Sequence, residues 1–194
     1  RNIYLKESSV EAQYQALQSQ LNPHFLFNSL NTLISEIGYN PENAILFTQN
    51  LSDVYRYILQ CQQQRLVTLG SELEFLDSYV FLHRVRLGDC ITVDCRLDES
   101  LLEYRLPPLT LQLLAENVIK HNIISLRQPM VLSLSSEDEN WLVVSNSVRP
   151  KKSVQPSGMG LKNLASRYRL VCGQEIIIEK TTELFTVKIP PLYE

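Results

Sequence analysis

Residues 106–122 read LPPLTLQLLAENVIKHN. At about 100° per residue, Leu111, Leu114, Ala115, Val118 and Ile119 share one helical face, and Glu116, Asn117, Lys120 and His121 lie across from it. Such a helix needs an apolar surface to cover, and the flanking sequence supplies one. Short alternating runs read as strands at ITVDCRL from residue 91, MVLSLS from 130, WLVVSNS from 141, EIIIEK from 175 and LFTVKIP from 184, with a further helix beginning at Leu161. This order, closing on a hairpin, predicts an α/β sandwich: a mixed sheet covered by helices on one face rather than a doubly wound parallel sheet.

Upstream of residue 88 the alternation gives way to long helical periodicity, so the chain is predicted to be α+β in two modules, a helical one over 1–88 and the α/β one over 89–194. Three helices are expected in the first. One runs from about residue 6 to residue 38. The second is announced by NPEN, with Asn40 as N-cap and Pro41 at the first helical position, where its missing N–H costs nothing; Ala44, Phe47, Leu51, Val54, Tyr55 and Ile58 form its stripe. The third opens on a capping box from Ser71 to Glu74 and reaches about Leu87.

The first helix carries LQSQLNPHFLFNSLNTLISEI over residues 17–37. Leu26, Leu30, Leu33, Ile34 and Ile37 fall in one narrow arc, predicted to be the buried face, and His24, Asn28, Asn31 and Ser35 fall opposite. An imidazole so placed can meet solvent or a partner; a merely solvated surface histidine would have the same phase. Upstream, Val10, Tyr14, Leu17 and Leu21 follow a 4-3-4 spacing that suits a short dimer seam. Continued in phase, that seam would take in His24, so the apolar face has to change sides at the junction. Pro23 stands there, and it predicts a kink or a fresh helix start that Asn22 can cap.

With 194 residues, 44% of them hydrophobic, the chain can bury a core, and its net charge of -3 gives no electrostatic reason to expect nucleic acid as a direct partner. Cys61, Cys90, Cys95 and Cys172 form no CxxC pair and stand apart from the three histidines, so metal-ligand spacing is absent. No apolar run approaches the roughly twenty residues that span a bilayer. The sequence opens without Met on a polar helical stretch, as it would if upstream segments, membrane helices among them, had been removed.

The polar face of residues 106–122 suits a magnesium nucleotide, with Asn117 as an oxygen ligand of the cation and Lys120 as a phosphate partner; a solvated polar face would look alike. SGMGLKN at 157–163 offers a second half. Gly158 and Gly160 let backbone approach a phosphate, and a helix starting at Leu161 directs free N–H groups at it.

LNPHFLFNSLNTL resembles the phosphoacceptor box of the LytS/YehU-type sensor histidine kinases, and LSDVYRYIL at 51–59 resembles their second helix. The 106–122 string resembles the N-box, and GMGLKNLASRYRL the G-box, of the Bergerat-fold (GHKL) ATPases that include gyrase B, Hsp90, MutL and histidine kinases. The resemblance runs from about Ala12 to Pro190. It implies a helical-hairpin dimerisation and phosphoacceptor module with an ATP-binding domain after it, ATP and Mg2+ as cofactors, and His24 as the phosphorylated residue. Asn117, Lys120, His121, Gly158, Gly160, Leu161, Lys162 and Asn163 are carried over as nucleotide contacts, Asn117 also as metal ligand. The superfamily's adenine-binding Asp with its following glycines is replaced by LVVSNSVRP, which puts Asn146 in that place; its carbonyl can still accept a hydrogen bond with its amide turned elsewhere. Lys151 and Lys152, on the short lid between Asn146 and Gly158, either meet phosphates or are solvated.

Many histidine kinases place an acid directly after the histidine, where Phe25 stands here, so Glu116, carried over from the N-box, is the expected general base, provided that domain closure brings it near His24. The resemblance further implies a homodimer, a response regulator of the LytTR DNA-binding kind as partner, and a bacterial inner-membrane parent with this part in the cytoplasm. Two other readings stay open. A pseudokinase or scaffold with weak nucleotide binding draws on Asn146 and the absent glycines, whereas a gyrase- or Hsp90-like ATPase would lack a helical module bearing His24.

Overall fold

The computed structural model describes residues 22–137, 141–152 and 159–190. The expected seam at Val10 to Leu21, the start of a helix near residue 6, the lid centre and Gly158 lie outside the described residues. The chain divides into two compact units, Arg1–Gln63 and Gln64–Glu194.

In the first unit, α1 (Pro23–Tyr39) and α2 (Pro41–Cys61) form a hairpin. Helix α1 starts afresh at Pro23, as expected: Asn22 takes φ 34°, outside helical space, and its side chain accepts the N–H of Phe25 at 3.3 Å. Asn40 joins the two helices. Its N–H closes α1 on Glu36 O at 2.7 Å, and its side chain accepts the N–H of Asn43 to open α2. The stripe predicted for α2 is buried at Ala44, Phe47, Leu51, Val54 and Ile58, with Cys61 added.

The buried face predicted for α1 needs correction. Ser29 is the buried residue of this helix, whereas Leu30, Ile34 and Ile37 are exposed, Ile34 at 69%. The strip that meets α2 is a different one, with Phe25 beside the Tyr55 ring and Glu36 accepting from Asn43 at 2.6 Å. It lies roughly a quarter-turn round from the apolar arc. A two-helix hairpin covers one strip per helix, and here that strip is the mixed one.

In the second unit, β1 (Val67–Thr68) pairs antiparallel with β3 (Arg105–Leu106) and leads into α3 (Leu69–Leu87). The five-stranded sheet has the order β2-β4-β5-β7-β6, comprising β2 (Ile91–Arg96), β4 (Met130–Glu137), β5 (Trp141–Ser147), β6 (Ile177–Lys180) and β7 (Leu184–Ile189). Only the β2–β4 pairing is parallel, and α4 (Thr110–His121) lies on the crossover between them. Helix α5 (Met159–Cys172) connects β5 to β6. The inner face buries Ile91, Leu132, Leu134, Leu142, Val144, Val187 and Ile189 at alternate positions against Leu114, Ala115, Val118, Leu164 and Tyr168 of α4 and α5. This is the mixed sheet with helices on one face that the strand pattern predicts.

Three local expectations give way. The third helix is capped by Thr68, whose Oγ1 accepts the N–H of Ser71, so Ser71 lies inside the helix. Helix α5 begins two residues before Leu161, so Gly160 is helical and its glycine is not used for a positive φ. The change of character near residue 88 is a change of secondary structure, while the compact division comes at 63/64, because α3 packs on α4 and β2. No helix among the described residues is long and apolar enough to cross a membrane.

Buried His83 of α3 lies edge-on to Tyr79 at 4.7 Å. Burial, and then the Arg86 guanidinium 3.2 Å from Nδ1, pushes its imidazole from 6.5 down to about 3. The unfolded chain therefore takes up this proton first. The stability tied to neutral His83 is intact above pH 6.5 and is lost as pH falls towards 3, with a limiting slope of about 1.4 kcal/mol per pH unit. Urea titrations from pH 7 to pH 5 are expected to show a shallower loss for His83→Gln than for wild type. Parallel slopes would contradict this account of the site.

Candidate nucleotide and phosphoacceptor sites

His24 is exposed in the first turn of α1, immediately after Pro23. The Asn28 amide nitrogen, one turn on, lies 3.3 Å from its Nδ1 and 3.4 Å from Nε2. It can hold either ring nitrogen while the other faces outward. Asn28 was placed on this face by helical phase, and the i, i+4 spacing is the signal that marks it as a partner of the ring.

In the second unit the five apolar positions of α4 are buried as expected. Glu116, Asn117 and His121 are half-buried on the opposite side, and Lys120 is exposed. Helix α5 comes to this same side. A Cβ on Gly160 would stand 3.6 Å from Leu113 Cδ2, and Leu113 precedes Glu116, Asn117 and Lys120 at i+3, i+4 and i+7. The start of α5 thus abuts the row that carries those polar groups. Leu161 is half-buried there, whereas Lys162 and Asn163 point to solvent. Leu164 and Tyr168 anchor α5 with no exposed surface.

Burial raises the Glu116 carboxyl above its ordinary range, against the opposing pull of Lys120. The His121 imidazole is lowered by burial first, and then by Lys120, Lys151 and Lys180. Three ammonium groups therefore act on the imidazole at the C-terminal end of α4. Lys151 is the most firmly held: its Nζ donates to Ile119 O at 2.8 Å, where the helix end carries partial negative charge, and its backbone N–H donates to His121 O at 3.1 Å.

Asn146 is buried on β5, paired in register with Phe185. Its amide nitrogen donates to Ser147 O at 2.8 Å, which turns the nitrogen end of the group aside.

Two residues were missed in the sequence. Buried Asn122 donates from Nδ2 to Val118 O and accepts the Arg149 N–H at 2.8 Å, tying the root of the segment after β5 to the end of α4. Lys180 lies on β6, two strands from Asn146 in the same register row through Phe185. Neither stands in a motif; a long-range bridge and a strand register bring them in.

Residues 12–91 match the family model described as Histidine kinase. This stretch belongs to the histidine kinase family. The chain is 33% identical over 130 residues to sensor protein LytS of Staphylococcus haemolyticus, covering 67% of this chain and 22% of that protein. It is 32% identical over 189 residues to sensor histidine kinase YpdA of Escherichia coli, covering 91% and 33%, and 28% identical over 190 residues to LytS of Bacillus subtilis, covering 90% and 32%. Among histidine kinases, then, the chain is a relative of the LytS-type sensor kinases, and it spans a third or less of the length of these three.

Proposed function

We propose that the chain is the kinase core of a bacterial sensor histidine kinase, in which ATP phosphorylates His24 and the phosphoryl group passes to a response regulator of the LytTR kind. The observation that carries this reading is His24 itself, an exposed imidazole in the first turn of a helix within the matched 12–91 stretch. The helical hairpin serves dimerisation and phosphotransfer, and the sheet-bearing unit binds the nucleotide. As such a core it works on the cytoplasmic side of a membrane-bound parent.

The donor set fits a magnesium ion carried by phosphates. Asn117, half-buried on the polar side of α4, would offer such an ion a neutral amide oxygen, leaving phosphate and water to complete its shell. When bound, the ion screens phosphate charge. Lys120 attracts the phosphates, the neutral His121 imidazole can donate a ring N–H to them, the start of α5 at Gly160 gives them backbone N–H groups, and Asn146 accepts from adenine through its carbonyl. A ring nitrogen of His24 attacks the γ-phosphorus in line. The P–N bond forms as the P–O bond to ADP breaks, and Glu116 takes the proton from the other ring nitrogen in the reacting complex.

Incubation with γ-labelled ATP is expected to leave acid-labile, base-stable label on the protein. Label released only as free phosphate would favour an ATPase, and nucleotide binding without labelling would favour a pseudokinase; either result overturns the reading.

The exposed arc of α1, Phe27, Leu30, Ile34 and Ile37, is assigned to a second copy of the chain, since contiguous apolar surface of this kind is usually covered. Ile34→Glu is expected to raise the dimer dissociation constant at least about tenfold by sedimentation, the cost of one buried charge in an apolar interface. Unchanged dimerisation would place the interface elsewhere.

A further inference from the structure

Helix α4 bears Glu116 and Asn117, yet its own sequence does not cap it. Its N-cap is Leu109, which sits at φ 64° with no side-chain hydrogen bond to the first turn. A leucine in left-handed space is strained, and a helix start leaves several N–H groups without intrahelical partners. The missing acceptor comes from far away. Glu72 of α3, with no exposed surface, accepts the N–H of Leu109 at 2.8 Å through Oε1 and that of Leu111 at 3.0 Å through Oε2.

The carbonyls of the same turn are held as well. Thr110 Oγ1 donates to Pro107 O at 2.6 Å, and Arg167 of α5 donates from a guanidinium nitrogen to Pro108 O at 2.8 Å. Both prolines lack an N–H. The polar backbone of the turn is therefore held by a carboxylate from the helix before it, a guanidinium from the helix after it, and one residue of its own.

We infer that Glu72 and Arg167 are positioning residues, which clamp the 107–111 turn and thereby set the aim of the helix carrying Asn117 against the helix carrying Gly160. The inference rests on the nucleotide-binding reading of this unit. Asn117 lies six residues beyond Leu111, or about 9 Å along the axis, so a tilt of roughly 10° at the clamped end displaces it by about 1.5 Å. A displacement of that order at a group that orients a substrate is enough for a large loss of function. A fold that needed only a stable helix end would be served by Ser or Asp at position 109. Bridging from α3 and α5 instead makes the α4 aim depend on both neighbours.

The test compares Glu72→Gln, which keeps the volume but offers one acceptor oxygen and turns an amide nitrogen toward an N–H, with Arg167→Met, which keeps the stem and loses the bond to Pro108 O. Ile91→Val, a core trim on edge strand β2 that touches none of the clamp's hydrogen bonds, is the control for loss of stability alone. MgADP binding to the full chain is measured by calorimetry, well below each variant's melting temperature, alongside KM for ATP in labelling. Both clamp variants are expected to raise the MgADP Kd and the KM for ATP about tenfold, with Ile91→Val unchanged. Lowered melting temperatures with wild-type Kd and KM in both clamp variants would reduce them to structural residues and overturn the inference. A wild-type chain that binds no MgADP would overturn the nucleotide reading and this inference with it, an outcome told apart by its appearing before any substitution.

Discussion

Replacing His24 by Gln is expected to abolish acid-labile labelling by ATP, a loss of at least about a thousandfold, because the proposed nucleophile is removed. Gln tolerates a helix, so the start of α1 at Pro23 and the Asn22 cap should survive, and MgADP should bind with unchanged affinity in the second unit. The chain has three histidines, which makes the result easy to read. His83 is buried beside Arg86, and His121 stands among Lys120, Lys151 and Lys180 at the end of α4. Full labelling of the variant would move the acceptor to one of these and remove the basis of the proposed function.

Glu116→Gln is expected to lower the labelling rate about a hundredfold or more, the usual scale for loss of a general base, which is the role proposed for it, with little change in MgADP affinity. The same substitution should raise the melting temperature near neutral pH. Burial raises the Glu116 carboxyl by more than Lys120 lowers it, so its folded pKa exceeds the unfolded one. The fold thus favours the protonated form, and ionising the group as pH rises costs stability that Gln does not lose. Activity and stability are expected to move in opposite directions, as they do where a side chain is held for chemistry rather than packing. In wild type the labelling rate should fall as pH drops through the raised carboxyl value, and that fall should be missing in the variant. A variant that labels at the wild-type rate would leave Glu116 as a binding residue only.

What could be read ahead of the structure follows from how local each signal is. The α4 face was legible because alternate faces of one twelve-residue helix are set by a fixed 3.6-residue period, and all five apolar positions proved buried. Asn40 and Asn22 were legible because a cap acts on an N–H three residues away. The arc on α1 shows the limit of that reasoning. Periodicity found its apolar side correctly, but which strip meets α2 depends on how the hairpin closes, and Phe25, Ser29 and Glu36 decide it. The supposed capping box failed for a related reason: Ser71 and Glu74 have the right spacing, yet the β1–β3 ladder leads the chain into α3 at Thr68.

By itself, then, the amino-acid order determined most of the elements, the strand alternation that gives the sheet one apolar face, the fresh helix start at Pro23 and the exposed position of His24, all of them legible in patterns a few residues long. The tertiary structure alone decided that α3 belongs with the sheet, that Asn122 ties the segment after β5 to α4, and that Glu72 and Arg167 hold the start of α4 across separations of 37 and 59 residues. Such contacts leave no period in the sequence. They form because buried N–H, C=O and carboxylate groups must find partners once packing has taken water away, and only the packed chain shows which partner is within reach.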